Sequence, residues 1–544
     1  MTKQNSSRSL IRGFLESAER FPDRTALVVD GESLTYSSLR RLAGRIASAI
    51  AENGHTRSPL VAGHTRSPLV AVWAHRSQTA YAGILGSLGA GKGYVPLNPK
   101  FPLERTCRML ALAGCTVLIV GRECLGQLSG LLGSADFPLT LILPEVFDLG
   151  EFLPSRPNHR FITAGQLPSG ESFSSGEDSA SASAYLLFTS GSTGVPKGVP
   201  INQGNVRSYV DYICRRYDVN EHDRFSQQFD LTFDLSAHDL FVCWERGACL
   251  YCVPEHSLMA PAKFIRDHQV TMWFSVPSVA GLLEKMRLLP PGCFPSLRCS
   301  LFCGEPLPAA YAASWQEAAP NSIVDNLYGP TEATIAITHY RWNSQKSPGE
   351  CLNGIVPIGQ MFEGQQFRIT DSRGESVPIG EVGELCLSGS QVAAGYWNDP
   401  AKTRQQFVRL PGARERIWYR TGDLVQRDEA GNLCYLGRVD HQIKIRGYRV
   451  ELQEIEAVLR HACGTEQVVS VPWPVNSGTA EGVVAFVSGV KGFDQARVLA
   501  NCGDVLPDYM VPKRIYLLDE LPLNPNQKID RGELRKLLLE GALA

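Results

Sequence analysis

The sequence has 544 residues, of which 44% are hydrophobic and 20% charged, and its net charge is −2. A chain of this length exceeds a single hydrophobic core, so at least two domains are expected. The balanced charge excludes a chain built to track polyanions such as nucleic acids, and it favours small molecules or proteins as partners.

Residues Met1–Arg8 lack the apolar segment of a secretory signal, and no later apolar run reaches the roughly 18 residues of a membrane span. The 15 cysteines in so long a chain fit a reducing compartment, where free cysteine serves as a small core residue. A cytoplasmic location without membrane contact is therefore expected.

From about residue 10 to residue 440, helical and strand-like hydrophobic patterns alternate, which predicts an α/β region with mainly internal parallel sheets. The clearest elements are a helix near 36–51, a strand near 69–73 and a helix near 79–88. Gly54–Ala62 is repeated at once as Gly63–Ala71. Only the second copy leads into the next helix, so we expect its Leu69–Ala71 to be the strand and the first copy to be an extruded loop.

The apolar run Ala184–Phe188 predicts a buried strand, which follows a polar linker at 169–183 and leads into the segment Thr189–Gly198. In such a Gly-rich turn, backbone N–H groups converge on an anion and the glycines permit close approach of the ligand. The common pattern GxxxxGK[ST] is excluded, because Pro196 precedes Lys197 and a glycine follows it. The segment therefore predicts a phosphate loop of another type.

Ser236 and Asp239 precede an apolar periodic run, which predicts a helix starting near Ser236. Asp234 then lies just ahead of the helix, where it could cap the helix or hold a cation such as an α-ammonium group. Cys249 and Cys252 form a CxxC pair in a strand-like run without a second pair at zinc spacing, so no metal site is expected there.

Two later predicted turns carry polar groups that could bind a nucleotide. Asn326–Glu332 (NLYGPTE) could stack a base, bond a phosphate and hold Mg²⁺, and Tyr419–Asp423 (YRTGD) could bind ribose hydroxyls. Each segment, taken alone, is equally compatible with an ordinary turn.

After Gly437–Asp440, about a hundred residues predict a small α+β domain. Its predicted elements are strands near 442–446, 468–472, 482–487 and 514–517 and helices near 453–461 and 494–506. Tyr435–Gly447 and Leu521–Arg531 each contain a lysine in a semi-apolar setting, Lys444 and Lys528. Either lysine, taken alone, is compatible with a solvated surface charge.

Six segments, in this order, resemble the adenylation domains of nonribosomal peptide synthetases, the amino-acid-activating branch of the adenylate-forming superfamily. They are Phe188–Gly198, Phe229–Phe241, Asn326–Glu332, Tyr419–Asp423, Tyr435–Gly447 and Leu521–Arg531. The resemblance covers about residues 10–540 and includes Leu88–Leu97, Phe101–Arg105, Gly383–Gly389 and Gly395–Trp397. It implies a large N-terminal α/β domain of layered sheets and helices, 1–439, and a small mobile α+β C-terminal domain, 440–544.

The resemblance also implies a site for ATP and Mg²⁺. The residues implied to hold the pyrophosphate end of ATP are Thr189, Ser190, Gly191, Ser192, Thr193, Gly194 and Lys197. Tyr328 is implied to lie against adenine, Thr331 at the α-phosphate and Glu332 at Mg²⁺. The residues implied for the rest of the nucleotide are Asn326, Asp423, Tyr435 and Arg438.

Lys528 is implied to bridge the substrate carboxylate and the α-phosphate, while Asp440 matches a hinge and Lys444 a lysine that acts in the second step. Asp234 is implied to pair with the substrate ammonium. The remaining pocket positions implied are Leu235, His238, Ser275, Leu301, Cys303, Leu327, Ile335 and Ala336. Their leucines and isoleucine restrict the volume, which favours a small or medium neutral amino acid.

The implied reaction is attack of a carboxylate on the α-phosphorus with loss of pyrophosphate, followed by transfer to the phosphopantetheine thiol of a separate carrier protein. No carrier domain follows Lys528, which predicts a stand-alone ligase. An acyl- or aryl-CoA ligase of the same superfamily remains an alternative that Asp234 disfavours. A catalytically silent binding module and a tRNA-charging role are weaker alternatives.

Overall fold

The computed structural model describes most of the chain. The described residues are 8–53, 67–149, 158–170, 173, 179–191, 196–440, 442–476, 479–490, 492–523 and 529–541. Lys528, Ser192, Thr193 and Gly194, as well as the first copy of the duplicated segment, lie outside these residues.

The elements up to residue 438 alternate between helix and strand in the way that the sequence predicts. In chain order they are α1 Ile11–Arg20, β1 Thr25–Val29, β2 Glu32–Thr35, α2 Tyr36–Asn53, β3 Leu69–Trp73, α3 Gln78–Gly89, β4 Gly93–Leu97, α4 Leu103–Ala113, β5 Val117–Val120, α5 Leu125–Ser134, β6 Thr140–Leu143, β7 Arg160–Thr163, β8 Ser183–Thr189, β9 Lys197–Asn202, α6 Gln203–Arg216, β10 Arg224–Gln227, α7 Leu235–Glu245, β11 Cys249–Cys252, α8 Ala262–Asp267, β12 Met272–Ser275, α9 Pro277–Lys285, β13 Cys299–Phe302, α10 Ala309–Ala318, β14 Ile323–Tyr328, β15 Thr338–Arg341, α11 Ser347–Glu350, β16 Gln360–Met361, β17 Gln366–Thr370, β18 Val382–Ser388, α12 Pro400–Gln406, β19 Phe407–Leu410, β20 Ala413–Arg427 and β21 Leu433–Arg438.

The remaining elements build the C-terminal part of the chain. They are β22 Gln442–Ile445, β23 Tyr448–Glu451, α13 Leu452–Cys463, β24 Val468–Pro472, β25 Val475–Asn476, β26 Thr479–Ala480, β27 Val483–Ser488, α14 Gln495–Gly503, β28 Ile515–Leu518 and α15 Arg531–Leu539. The predicted strands and helices after residue 440 are confirmed to within three residues at either end, and β3 confirms that the second copy of the duplication forms the strand.

The chain packs as two compact units. The first consists of Met1–Pro99, Cys107–Leu187 and Gly198–Val439, and the second of Lys100–Thr106, Phe188–Lys197 and Asp440–Ala544. Two short segments from the N-terminal part of the sequence, one of them containing most of the predicted phosphate loop, are thus grouped with the C-terminal residues. The sequence-based boundary assigned both segments to the N-terminal domain.

Three sheets shape the first unit. A nine-stranded sheet has the order β16-β15-β14-β13-β12-β10-β11-β1-β2 and a seven-stranded sheet the order β7-β6-β5-β3-β4-β8-β9. Their central pairs are parallel, whereas the pairs of the five-stranded sheet, β17-β18-β20-β19 with β21 beside β20, are antiparallel. The mixed α/β fold with mainly parallel internal sheets is confirmed.

The nine-stranded sheet is covered on both faces, as parallel sheets require. Helix α7 is apolar nearly all round and buries every residue from Leu235 to Trp244, and its hydrophobic side chains belong to the largest core cluster, which covers one face. On the other face, Trp273 of β12 and Phe302 of β13 pack against Trp315 of α10.

The second unit contains two small sheets, β23-β22-β26-β25 and β24-β27-β28. Helix α13 buries Ile455 and Leu459 against residues of β24 and β27. This pattern of strands and helices is the α+β arrangement that the sequence predicts for the C-terminal residues.

Candidate active site

The predicted substrate residues lie at one edge of the nine-stranded sheet. The neighbouring strands β10 and β12 are joined through β11, which pairs with β10 on its other side, so the strand order reverses between them. In open α/β sheets, ligands bind in the crevice outside the carboxyl ends of the strands at such a reversal. Asp234 follows β10, Cys303 follows β13 and Tyr328 ends β14, so tertiary structure brings these distant segments to the same edge.

Asp234 precedes α7 but does not cap it. Its backbone is already helical, with φ −63° and ψ −21°, and its side chain makes no capping hydrogen bond. Instead, the backbone N–H of Ile335 donates to Asp234 Oδ2 at 3.3 Å, and the side chain is buried. The predicted helix start at Ser236 is one residue late, and the Ser236 hydroxyl donates to the Leu231 carbonyl. The carboxylate therefore belongs to the crevice.

The partner of Asp234 lies on a strained turn. Thr334 and Ile335 are consecutive non-glycine residues in the left-handed region, with φ of 59° and 70°. Such residues cost about 1–3 kcal/mol each and persist only where neighbours fix them. The amide of Gln391 donates to the Ala336 carbonyl at 2.7 Å, and a Cβ on Gly329 would lie 2.6 Å from the Ala336 Cα. Gly329 and Gln391 therefore hold this turn against the end of β14.

The other predicted pocket residues around Asp234 are buried. They are Leu235, His238, Leu301, Cys303, Leu327, Ile335 and Ala336. His238 Nδ1 and the Tyr209 hydroxyl form a hydrogen bond of 2.8 Å, and the His238 ring lies 4.5 Å from the Phe274 ring. Burial lowers the pKa of His238 to about 3, so this imidazole is neutral at physiological pH.

Ser275 is not brought together with this group. Along β12 the side chains alternate between the two faces of the sheet, and Phe274 is the residue that meets His238. Ser275 lies on the opposite face, where its hydroxyl accepts a hydrogen bond of 3.0 Å from Trp273 Nε1. The structure places Val276 nearer the crevice, because Val276 and Leu235 both approach Gly304.

Asp423, the predicted ribose residue, lies within β20 and not in a turn as the sequence predicted, and it forms a compact polar cluster with Tyr328 and Arg438. The Tyr328 hydroxyl donates to Asp423 Oδ2, and Arg438 Nη1 donates to Asp423 Oδ1, each at 2.5 Å. Burial, with the nearby Asp423 carboxylate as the second cause, raises the pKa of Tyr328 well above its usual value. Each carboxylate oxygen retains a second lone pair, so Asp423 can still accept from two hydroxyl groups. Tyr435 packs in the same hydrophobic cluster as Tyr328.

Glu332 is a buried carboxylate held by the Tyr396 hydroxyl, which donates to Glu332 Oε1 at 2.9 Å. Magnesium is commonly bound by one or two protein carboxylates together with phosphate oxygens, and a single oriented glutamate fits that donor set. Thr331 begins the short helical turn Thr331–Ala333 and is partly exposed. Among the described residues, no group of three or more His, Cys, Asp or Glu side chains is arranged to hold a metal ion.

The Asn326 side chain forms hydrogen bonds with the backbone of a neighbouring segment. Its amide donates to the carbonyls of Pro357 at 2.9 Å and Val356 at 3.3 Å, while its buried Oδ1 has no hydrogen-bond partner within the described part of the chain. The contacts of this side chain fix the segment beside β14.

The described residues of the predicted phosphate loop up to Lys197 belong to the second unit. The Ser190 hydroxyl donates to the Arg449 carbonyl at 2.7 Å and accepts from the Glu451 N–H at 3.1 Å. The Gly191 N–H donates to Glu454 Oε2 at 3.2 Å. Thr189 ends β8 and Lys197 begins β9, where its side chain is buried. A carboxylate thus accepts from the backbone of a segment that is predicted to hold phosphate.

The predicted hinge and second lysine lie at the start of the C-terminal residues. Asp440 is exposed and its Oδ1 accepts from the Gln442 N–H at 3.1 Å. Lys444 is partly exposed in β22, opposite Arg449 of β23. The predicted role of Lys528 stays a prediction, because this residue lies outside the described residues.

Three contributors were not assigned a role from the sequence. Tyr396 fixes Glu332 and lies within the Gly395–Trp397 segment that carries the resemblance, whereas Gln391 fixes the strained turn and follows the Gly383–Gly389 segment. Tyr185 of β8 is fully buried, and its hydroxyl has no hydrogen-bond partner among the described residues. Tyr185 could have been found from the sequence, because a tyrosine in an apolar run buries a hydroxyl group that needs a hydrogen-bond partner.

No helix of the described residues has both the length and the apolar character needed to cross a membrane.

Comparison with known proteins places this chain in a family. Residues 14–397 match the family model described as AMP-binding enzyme, and residues 454–528 match the AMP-binding enzyme C-terminal domain. A D-alanine--D-alanyl carrier protein ligase of Bacillus licheniformis is 30% identical, over 97% of this chain and 99% of that protein. A dimodular nonribosomal peptide synthase of Bacillus subtilis is 33% identical, over 96% of this chain and 20% of the synthase.

Among solved structures, the Vibrio cholerae adenylation domain AlmE in complex with glycyl-adenosine-5'-phosphate is 36% identical. It matches with a TM-score of 0.87 over 98% of each chain. The family-model match spans more than half of the sequence, and the homologues include proteins named as ligases. The chain therefore belongs to the AMP-binding enzyme family and is an AMP-forming ligase.

Proposed function

We propose that the protein activates an amino acid with ATP as an aminoacyl adenylate and then transfers the aminoacyl group to the thiol of a separate carrier protein. Asp234 is the residue that favours an amino acid as the substrate. Its buried carboxylate stands in the ligand crevice, does not cap its own helix, and has Ile335 N–H as a donor. A buried carboxylate is stabilised by a cation, and the substrate ammonium supplies one.

The names of the relatives support the same choice. One relative is a ligase that acts on D-alanine and a D-alanyl carrier protein, and one solved relative contains a glycyl adenosine phosphate. Both involve an amino acid joined through its carboxyl group.

Adenylation requires that two anions approach each other, so the protein has to position them and offset charge. In this proposal, Asp423 accepts from the ribose hydroxyls while Tyr328 lies against the base. Glu332 would hold Mg²⁺, which offsets the charge of the phosphates when bound. Lys197 and Lys528 are proposed to offset charge at the pyrophosphate and at the reacting carboxylate.

The first test is amino-acid-dependent ATP–pyrophosphate exchange with wild type and Asp234→Asn. Loss of the carboxylate charge should raise the KM for the amino acid roughly tenfold to hundredfold, the range of a charge-assisted bond, and leave the KM for ATP unchanged. The deaminated acid of the same length is the matched substrate control. If Asp234→Asn affected both acids equally, Asp234 would not bind an ammonium group.

The second test concerns the acceptor. The loaded enzyme is offered a phosphopantetheinylated carrier protein or free coenzyme A, and thioester formation is measured. Asp440→Pro, at the predicted hinge, should leave pyrophosphate exchange measurable and impair transfer to the thiol. Equal loss of both steps would contradict the hinge, and preferred transfer to coenzyme A would favour a CoA ligase.

A further inference from the structure

We infer that the substrate is one of the two smallest amino acids, with glycine preferred and a single methyl side chain as the upper limit. This inference rests on the proposed function, because it concerns the side-chain space beside Asp234. The observation that carries it is that the crevice beyond Asp234 is filled by the side chains of the protein.

The residues around this space have almost no surface accessible to water. Asp234 is 3% exposed, and the seven buried pocket side chains described above are each 0–2% exposed. A cavity that could hold a large side chain would give its lining atoms accessible surface, whether or not the cavity opened to solvent. A benzene ring, for comparison, occupies a cavity of about 150 Å³.

An aromatic cluster fills the space along α7. His238 lies four residues after Asp234, so both side chains face the same side of the helix. The His238 ring is fixed between the Tyr209 hydroxyl, at 2.8 Å, and the Phe274 ring, whose centroid is 4.5 Å away. Phe229 closes the cluster with an edge contact to Phe274 at 5.2 Å. Because the ring is held on two sides, a larger substrate cannot simply displace it.

A leucine borders the space on the neighbouring strand. Leu301 of β13 is in register with Phe274 of β12, so both side chains lie on the face covered by α7. Leu235 belongs to the same buried cluster, and its Cδ1 lies near Gly304, after the end of β13. Aliphatic walls of this kind exclude a polar or charged side chain.

The polar groups serve the other end of the substrate. The Asp234 carboxylate can pair with the ammonium group, and burial together with this nearby carboxylate raises the pKa of the Tyr185 hydroxyl well above its usual value. That hydroxyl has no hydrogen-bond partner among the described residues. The Asp234 carboxylate and the Tyr185 hydroxyl can thus bond an α-amino group, whereas the described residues along the side-chain direction are mainly leucines and aromatic rings.

The test is ATP–pyrophosphate exchange with wild type and a panel of glycine, D- and L-alanine, L-serine, L-valine, L-leucine and L-phenylalanine. Glycine should give the highest kcat/KM and an alanine the next highest, each at least about a hundredfold above leucine, because one methylene alone is worth roughly 10–200-fold. A kcat/KM for valine, leucine or phenylalanine equal to that for glycine would overturn the inference while supporting amino-acid activation. Exchange with acetate or benzoate but with no amino acid would refute the proposed function itself.

A second test asks whether Leu301 limits the size of the substrate side chain. Leu301→Ala should increase the kcat/KM for L-valine or 2-aminobutyrate at least tenfold, since it removes three carbon atoms from the wall. Leu297→Ala is the matched control, because Leu297 is equally buried in the cluster on the opposite face of the sheet. An equal gain in both variants would point to general loosening and contradict the inference. If Leu301→Ala fails to fold, the wild-type panel decides alone.

Discussion

A single methyl group added at Gly329 should disable the site without unfolding the protein. In Gly329→Ala the new Cβ would lie 2.6 Å from the Ala336 Cα and 3.0 Å from the Ile335 carbonyl oxygen. Carbon atoms pack best at about 3.5–4.0 Å, so the turn would have to move by about 1 Å. Both clashing groups are backbone, which cannot rotate out of the way as a side chain can.

The shift would act on the turn that reaches Asp234. The Ile335 N–H that donates to the Asp234 carboxylate belongs to it, and Gln391 holds the carbonyls on either side. Overpacking of this kind costs about 1–3 kcal/mol, and a 1 Å misplacement near a reacting centre can cost about a hundredfold in rate. We therefore expect kcat/KM for amino-acid-dependent exchange to fall about tenfold to hundredfold.

The assay compares pyrophosphate exchange and the thermal midpoint of Gly329→Ala with those of Gly126→Ala. Gly126 lies in α5 and has nothing within 4 Å of the position of a Cβ. Alanine there should leave exchange unchanged and stabilise the helix by up to about 1 kcal/mol. Wild-type exchange by Gly329→Ala would refute the close approach of β14 and the strained turn as a requirement for activity.

Three further perturbations test other parts of the site. Asp423→Asn should raise the KM for ATP about tenfold to hundredfold and leave the KM for the amino acid unchanged, since it weakens the bonds to Arg438 and Tyr328. Asp428→Asn, in the hairpin between β20 and β21, is the control. An equal effect of both substitutions on the KM for ATP would contradict the assignment of Asp423 to the ribose. Tyr396→Phe should lower kcat about tenfold or more, because the Tyr396 hydroxyl orients Glu332 and a hydrogen bond to a charged group is worth about 1.5–3 kcal/mol. An unchanged kcat would show that Glu332 does not need the hydrogen bond from Tyr396. The folded-state pKa of His238 is about 3, below the unfolded value of about 6.5, so the unfolded chain takes up the proton first and stability falls as pH drops below about 6.5. Lowering the pH from 7 to 5.5 should cost wild type about 1 kcal/mol more in unfolding free energy than His238→Gln, measured by denaturation at both pH values, and parallel losses would contradict the neutral buried imidazole.

The amino-acid sequence alone determined the positions of most helices and strands and the family resemblance of this protein. Hydrophobic periodicity located the helices and strands, since a strand such as Leu69–Trp73 or Val468–Pro472 is apolar over its whole length when both faces are covered. The motifs, taken in chain order, resembled those of adenylation domains, and that resemblance implied the roles of Asp234, Glu332, Asp423 and Lys528. Local chemistry alone left each of these segments open to a purely structural role.

Tertiary structure decided which side chains share a space. Adjacent residues of a strand point to opposite faces, so Ser275 lies with Trp273 on the face away from α7, whereas Phe274 contacts His238 and Val276 lies near Gly304. The sequence could not decide whether Asp234 caps α7, because that depends on the N–H of Ile335, a hundred residues away. The filling of the crevice by His238, Tyr209 and Phe274 depends in the same way on packing between three separate elements, which only the folded chain brings into contact.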